Sequence, residues 1–302
     1  MVGAETKTSP TAVAAAGEMQ RHLERELAPG LYIVATPIGN LADITLRALT
    51  LLARADVILC EDTRHSRTLL SHYAITTPTR PYHEHNAARE RPRVLSDLAA
   101  GRRVALISDA GTPLISDPGF KLVRASLAAG HRVEALPGPS AALTALGVAG
   151  LPTDAFLFAG FLPPKSAARR TRIAELKAVP ATLVFFEAPS RVGETLADLA
   201  AVLGEREAVL ARELTKLHEE VLRAPLPELA QRLAEAPVKG EVVIVIGPPQ
   251  AGEVTAEEIA ALLDGALRQM SLRDAAKVVA EALGVSKTRV YDLGLARERN
   301  GG

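Results

Sequence analysis

SDAGTPLISDPG, residues 108–119, lies between the apolar run RRVALI (102–107) and FKLVRASLAAG (120–130), which has the apolar spacing of a helix. Two Gly, two Pro, two Asp and two Ser in those twelve residues describe backbone held in fixed turns between a strand and a helix. Strand, small-residue loop and helix make one βα unit, and a chain of such units is an α/β fold. Two more loops of this kind follow apolar runs: TPIGN (36–40) after LYIVAT, and PGPSAA (137–142) after RVEALP. In a parallel sheet ligands bind outside the carboxyl ends of the strands, so the three loops are expected to share one rim.

Outward from this loop, strands are predicted at 31–36, 56–61, 79–83, 103–108 and 132–137, with helices near 43–53, 63–72, 87–100, 119–129 and 139–147. LPTDA (151–155) then reads as a linker. A second series places strands in FLFAGFL, TLVFFEA, EAVLARELT, EVLRA and GEVVIVIG, with helices near 166–178, 191–203 and 226–235. The expected organisation is a mobile N-terminal tail ending in a short helix (1–30), an N-terminal α/β domain (31–151), a second α/β domain (152–249) and a helical extension (253–298). In the extension two segments each open on a serine suited to an N-cap, Ser271 and Ser286, and are separated by Gly284. They suit either a helix-turn-helix or a helical hairpin packed on its own protein.

The 302 residues carry 35 Lys+Arg and 35 Asp+Glu, so no global field draws the protein to a polyanion and any such site must be a local patch. Trp is absent and aromatics make up 3%, which weakens any scheme that stacks bases on an aromatic platform. The single cysteine, Cys60, sits in the apolar run DVILC and reads as a buried small hydrophobe. With no signal peptide or membrane span recognisable, a cytoplasmic location is expected.

Neither GxGxxG after the first strand nor GxxxxGK[ST] occurs, so dinucleotide and P-loop chemistry are set aside. The alternative is a ligand recognised through backbone groups, with close approach allowed where side chains are missing. TPIGNLADIT, EDTRHS, SDAGTPLISDPG and LPGPSA, in that order and spacing, resemble the bacterial 16S ribosomal RNA ribose 2′-O-methyltransferase family, which has the tetrapyrrole-methylase fold. The similarity runs from residue 31 to about 248 through EAPSR and ARELTKLHEE, and the C-terminal segment is similar to the helical extension many members carry.

The resemblance implies S-adenosylmethionine bound in a cleft between two α/β domains, a class III methyltransferase arrangement. Gly111, Thr112 and Pro113 occupy the place of the fold's Gly-Asp-Pro loop, with Thr for Asp. Ile38, Gly39, Ile115, Ser140 and Ala141 match other cofactor-lining positions, and Glu187, Leu214, Gly240 and Glu241 would serve the adenine side. The family also implies a homodimer and, as target, a cytidine in the decoding region of the small ribosomal subunit.

In-line attack of a ribose hydroxyl on a sulfonium methyl needs alignment and removal of one proton, with no metal. His83 and His85 share a strand face but lack a third ligand at suitable spacing. Candidates for the base are Glu61, Asp62 and Asp109; Asp62 can equally cap the next helix and pair with Arg64. For RNA, the densest basic run is KSAARRTR, with Lys165, Arg169, Arg170 and Arg172, bordered from the first domain by Arg64, Arg67, His83 and Asn86. Two alternatives stand beside this: a precorrin or uroporphyrinogen methyltransferase on the same fold, and a non-catalytic nucleic-acid-binding protein that senses S-adenosylmethionine.

Overall fold

The computed structural model describes residues 9–234, 238–249, 256–283 and 285–300. Five strands, β1 (Gly30–Val34), β2 (Val57–Cys60), β3 (Thr79–Pro81), β4 (Arg103–Ile107) and β5 (Val133–Leu136), form an all-parallel sheet in the order β3-β2-β4-β1-β5. The strands β1, β2 and β4 are almost continuously buried, as central strands covered on both faces must be. Because β1 lies between β4 and β5 while β2 lies beyond β4, the loops after β1 and β4 leave the sheet side by side, and the loop after β5 lies next to them. Helices α2 (Leu46–Arg54), α3 (Thr63–His72), α4 (Ala87–Ala99) and α5 (Phe120–Ala128) alternate with these strands. Thr45 caps α2, its hydroxyl accepting from Ala48 N–H at 3.1 Å, and Asp62 caps α3, accepting from Arg64 N–H at 2.8 Å.

The second sheet is mixed. Its strands β6 (Phe156–Phe161), β7 (Thr182–Glu187), β8 (Glu207–Arg212), β9 (Glu220–Pro225) and β10 (Val242–Ile246) run in the order β6-β7-β10-β8-β9, with only β6 and β7 parallel. One face is covered by α7 (Ser166–Leu176), α8 (Val192–Leu203) and α9 (Leu226–Leu233), over a core that includes Ile173, Leu196 and Leu229. Residue 235, the end of the expected third helix here, lies outside the described residues.

The other face of that sheet is covered by α6 (Ala141–Ala149), the last helix of the first series. Its small residues Ala142, Ala145 and Ala149 allow close approach to Val184, Val209, Val243 and Val245. The helix of small residues after PGPS is therefore the packing element that joins the two halves, and the described residues up to 248 form one compact unit.

The helix expected at the end of the N-terminal tail is longer than a short one. Residues 10–24 form a helix, α1 (Pro10–Glu24), of 15 residues. Met19 and the following Leu27 pack on the core of the first sheet, and Arg54 Nη1 donates to the carbonyl of His22 at 2.9 Å. Residues 1–8 lie outside the described set.

Among its described residues the C-terminal unit has three helices, α10 (Ala256–Leu267), α11 (Leu272–Leu283) and α12 (Lys287–Asn300), where the sequence marked two capped segments. They enclose a core of their own around Ile259, Leu263, Val279 and Val290. Ser271 and Ser286 act as N-caps, accepting from Asp274 N–H and Arg289 N–H at 3.3 Å each. Gly284 and residues 253–255 lie outside the described residues. No helix among the described residues is long and apolar enough to cross a membrane.

Candidate active site

The three small-residue loops are hydrogen-bonded into one rim. Thr36 and Gly111 exchange backbone N–H···O bonds at 2.9 Å each, and the Thr36 hydroxyl donates to Ser108 O at 3.1 Å. The Thr112 hydroxyl donates to Pro139 O at 3.0 Å, tying the second loop to the third. Gly111 has φ +78°, so its missing Cβ serves the backbone: a Cβ there would meet Ile38 Cγ2 at 3.4 Å, ordinary packing, whereas the left-handed conformation is costly for other residues. Leu114 (φ 72°) and Ser116 (φ 66°) hold the same region of φ without being glycine, which makes 111–119 a strained segment.

Against this rim lies a cavity of about 430 Å³. Ile38, Gly111, Thr112, Ile115, Ser140 and Ala141 line it from the first half. Glu187, Leu214, Gly240 and Glu241 line it from the second. Two positions assigned to the cofactor lie elsewhere: Pro113 is buried and lines no cavity described here, and Gly39 lines a neighbouring cavity of about 390 Å³. Among the walls that the sequence does not mark are Phe161, Phe186, Val242 and Val243, on strands that it places without showing which way their side chains face.

Glu187 also departs from its expected role. It is 3% exposed, and its carboxylate accepts from Ala188 N–H (2.8 Å), Arg191 Nε (2.8 Å) and Thr195 Oγ1 (2.7 Å). Those bonds secure the turn into α8 with a residue that also lines the cavity.

Of the carboxylates proposed as base, Asp62 is committed to its helix cap and to Arg64 (Oδ2 to Nη2 3.0 Å), which hold its carboxyl at about 2. Glu61 is exposed and lines neither cavity. Asp109 lines both cavities, with Oδ1 accepting from Asp62 N–H at 3.1 Å. A fourth carboxylate, Asp117, is marked by the sequence only as a turn residue. It lines the larger cavity, and burial together with the charges of Glu61 and Asp109 raises its pKa to about 6. SDPG signals a turn, and nothing in four letters reports that the Asp faces inward.

The basic run is largely spent inside the protein. Arg169 is 1% exposed and pairs through Nε with Asp198 Oδ2 at 2.7 Å, so it cannot meet RNA. Arg170 reaches the same Asp198 at 2.5 Å while remaining half exposed, and Arg172 pairs with Glu175 at 2.7 Å. Asn86 is likewise structural: its side chain accepts from His83 N–H and donates to Pro81 O, at 2.9 Å each. His83 lies beside it, away from both cavities. Lys165, Arg64 and Arg67 are exposed, and Arg67 and Lys165 hold no ion pair among the described residues.

Paired α/β halves with a cavity against the loops after β1, β4 and β5 define a methyltransferase of the tetrapyrrole-methylase class. The family model described as Tetrapyrrole (Corrin/Porphyrin) Methylases matches residues 30–230, and one described as RsmI C-terminal HTH domain matches 253–298. Among solved structures, uroporphyrin-III C-methyltransferase from Thermus thermophilus complexed with S-adenosylhomocysteine shares the fold, with TM-score 0.51 and 21% identity over 72% of this chain and 97% of that one. A protein named ribosomal RNA small subunit methyltransferase I from Mesorhizobium japonicum is 52% identical, covering 88% of this chain and 92% of its own. The Pseudomonas aeruginosa protein of the same name is 47% identical over 89% of this chain and 97% of its own. The chain belongs to the ribosomal RNA small subunit methyltransferase I family. It is an S-adenosylmethionine-dependent methyltransferase. The lining of the larger cavity is compatible with that cofactor: apolar side chains such as Leu214 and Val243, the small-residue loops, and a carboxylate, Asp117, for a cation.

Proposed function

We propose that this protein methylates the ribose 2′-oxygen of a cytidine in 16S ribosomal RNA, in the decoding region of the small ribosomal subunit. The shared name of the relatives supports ribosomal RNA as the acceptor. The observation that carries the ribose chemistry is Asp109, a carboxylate in the wall common to two adjoining cavities, where an acceptor hydroxyl and a methyl donor can meet.

S-adenosylmethionine, when bound, supplies a methyl group on a positively charged sulfur and leaves as a neutral thioether. Asp109 takes the proton of the hydroxyl as the O–C bond forms; its Oδ1, fixed by Asp62 N–H, orients the group. The hydrogen-bonded rim keeps the reactants aligned without reorganisation. RNA phosphates are met by exposed cations, among them Arg67 and Lys165, and Arg273 and Lys277 on α11 of the C-terminal unit.

The test is methyl transfer from labelled cofactor to small subunits of a strain lacking the enzyme, followed by digestion to nucleosides. Label in 2′-O-methylcytidine supports the reading; label on a base, or transfer to a tetrapyrrole only, overturns it.

Asp117 gives the cofactor affinity a pH dependence. Its folded pKa of about 6 lies above the ordinary carboxylate value, so it is a carboxylate at pH 7 and is protonated as the pH falls through 6. A cation favours the carboxylate, so S-adenosylmethionine affinity falls about five- to tenfold between pH 7 and 5. S-adenosylhomocysteine, lacking the sulfonium, shows a shallower fall, and Asp117→Asn flattens both curves. Calorimetric titration across that range is the check, and a wild-type profile in the variant would remove Asp117 from the cofactor site.

A further inference from the structure

The cavity of about 390 Å³ beside the cofactor cavity is a built site. It shares Ile38, Asp109, Ala110 and Glu241 with the larger one, so the proposed base stands in the wall of both. Its volume lies in the range of small-molecule pockets, about 300–1,000 Å³. Leu41, Leu69 and Ile107 supply apolar walls. Ser66, also in the lining, is 4% exposed, and its hydroxyl lacks a hydrogen-bond partner beyond the weak thiol of Cys60.

A strained loop places a cation at the same cavity. Glu213 (φ 51°) and Thr215 (φ 67°) take the left-handed conformation without being glycine. This sets Lys216 in the cavity wall, its Nζ bonded to Glu213 (2.7 Å) and Glu241 (3.0 Å). Two glycines make the room: a Cβ at Gly39 would overlap the Lys216 stem, and one at Gly240 would overlap the Glu213 carboxylate. Thr215 Oγ1 also accepts from Asn40 N–H at 3.2 Å, so the loop is anchored on both halves.

In a duplex the 2′-hydroxyl lies in the shallow minor groove; to bring it to Asp109, in the wall of a recessed cavity, the nucleotide must leave its strand, as bases do for the enzymes that act on them. We propose that this second cavity receives the extruded target pyrimidine nucleotide, its ribose at Asp109, its ring among Leu41, Leu69 and Ile107, and its polar edge toward Ser66. The exposed His65 borders the cavity where a flanking phosphate leaves it, while Lys216, held by Glu213 and Glu241, fixes the loop in its wall. This rests on ribose methylation of RNA, and it names the seat of the acceptor within that reaction.

Thr68 lines this cavity, is exposed on α3 and lies outside the cofactor cavity. Thr68→Trp in the full-length protein fills the cavity. The expected result is S-adenosylmethionine affinity within twofold of wild type and at least a hundredfold loss of kcat/KM on small subunits. A second measurement needs no variant. Cytidine 5′-monophosphate is titrated into wild-type protein saturated with S-adenosylhomocysteine and carrying 13C-labelled methyl groups; the resonances of Leu69 and Ile107 shift. Wild-type ribose labelling with Thr68→Trp within twofold of the wild-type rate, or nucleotide-induced shifts that spare both residues, overturns the cavity assignment alone. Absence of ribose label from wild-type protein overturns the ribose reading and this inference with it.

Discussion

Asp109→Asn retains S-adenosylmethionine affinity within a few-fold and loses about 10²–10⁴ in the rate of methyl transfer, the range expected for removal of a general base. The amide keeps the oxygen that accepts from Asp62 N–H, so the loop stays in place and only the proton acceptor is lost. Glu61→Gln, at an exposed position outside both cavities, stays within about fivefold of wild type and serves as the control. Asp62→Ala removes a helix cap and costs about 1 kcal/mol of stability with little effect on turnover of the folded enzyme. Single-turnover transfer to small subunits at saturating cofactor separates these cases. A rate for Asp109→Asn within tenfold of wild type would return the base to the other carboxylates of the rim.

Arg169→Ala is expected to act on the fold and not on RNA. Arg169 and Asp198 are 1% and 3% exposed, and Asp198 also accepts from Ser166 Oγ (2.9 and 3.1 Å) and pairs with Arg170. Burial opposes the charge on Asp198, yet Arg170, Arg169 and Ser166 hold its carboxyl below the usual range. Removing Arg169 takes one of two cations from a buried carboxylate and leaves it with Arg170 and Ser166, a loss of about 2–3 kcal/mol, which lowers Tm by about 5–10 °C in a domain of this size. Arg172→Ala, at an exposed pair with Glu175, costs less than about 1 kcal/mol. Thermal melts of the two variants decide the point: an Arg169→Ala transition within 2 °C of wild type would show that Asp198 finds another partner. The salt dependence of RNA binding, in contrast, tracks Arg67 and Lys165.

The elements of the α/β unit were legible because each carries its own local signal: β-branched runs such as VALI and VVIVI, caps at Thr45, Asp62 and Ser140, and turns rich in Gly and Pro. The rim was legible for the same reason, since a small-residue loop after a parallel strand has one place to go. What escaped was everything decided by which way a side chain faces. Arg169 and Arg170 are neighbours in one basic run, yet a rotation of about 100° along the helix buries one and half exposes the other. Asp117 and Glu187 show the same limit: both line one cavity, and the sequence does not tell that Glu187 is engaged in three hydrogen bonds while burial raises the pKa of Asp117. The length of α1 was missed because MVGAETKTSP and the alanine-rich stretch after it give no apolar stripe, and its anchorage rests on Met19, Leu27 and one bond from Arg54.

The placement of α6 sets where the molecule can be divided. A cut in LPTDA, where the sequence shows its clearest linker, would leave the N-terminal fragment ending in a helix whose alanine face has lost its sheet. The C-terminal fragment would begin with a sheet bare on one side, its Val184, Val209, Val243 and Val245 open to water. Neither piece is a self-sufficient protein, and mixing them would reassemble the enzyme only by returning that helix to its groove. The halves that frame the reaction are thus a single cooperative body, and genetic fusion or permutation at residues 151–155 must keep the helix with its distant sheet even though the chain connects it to the near one.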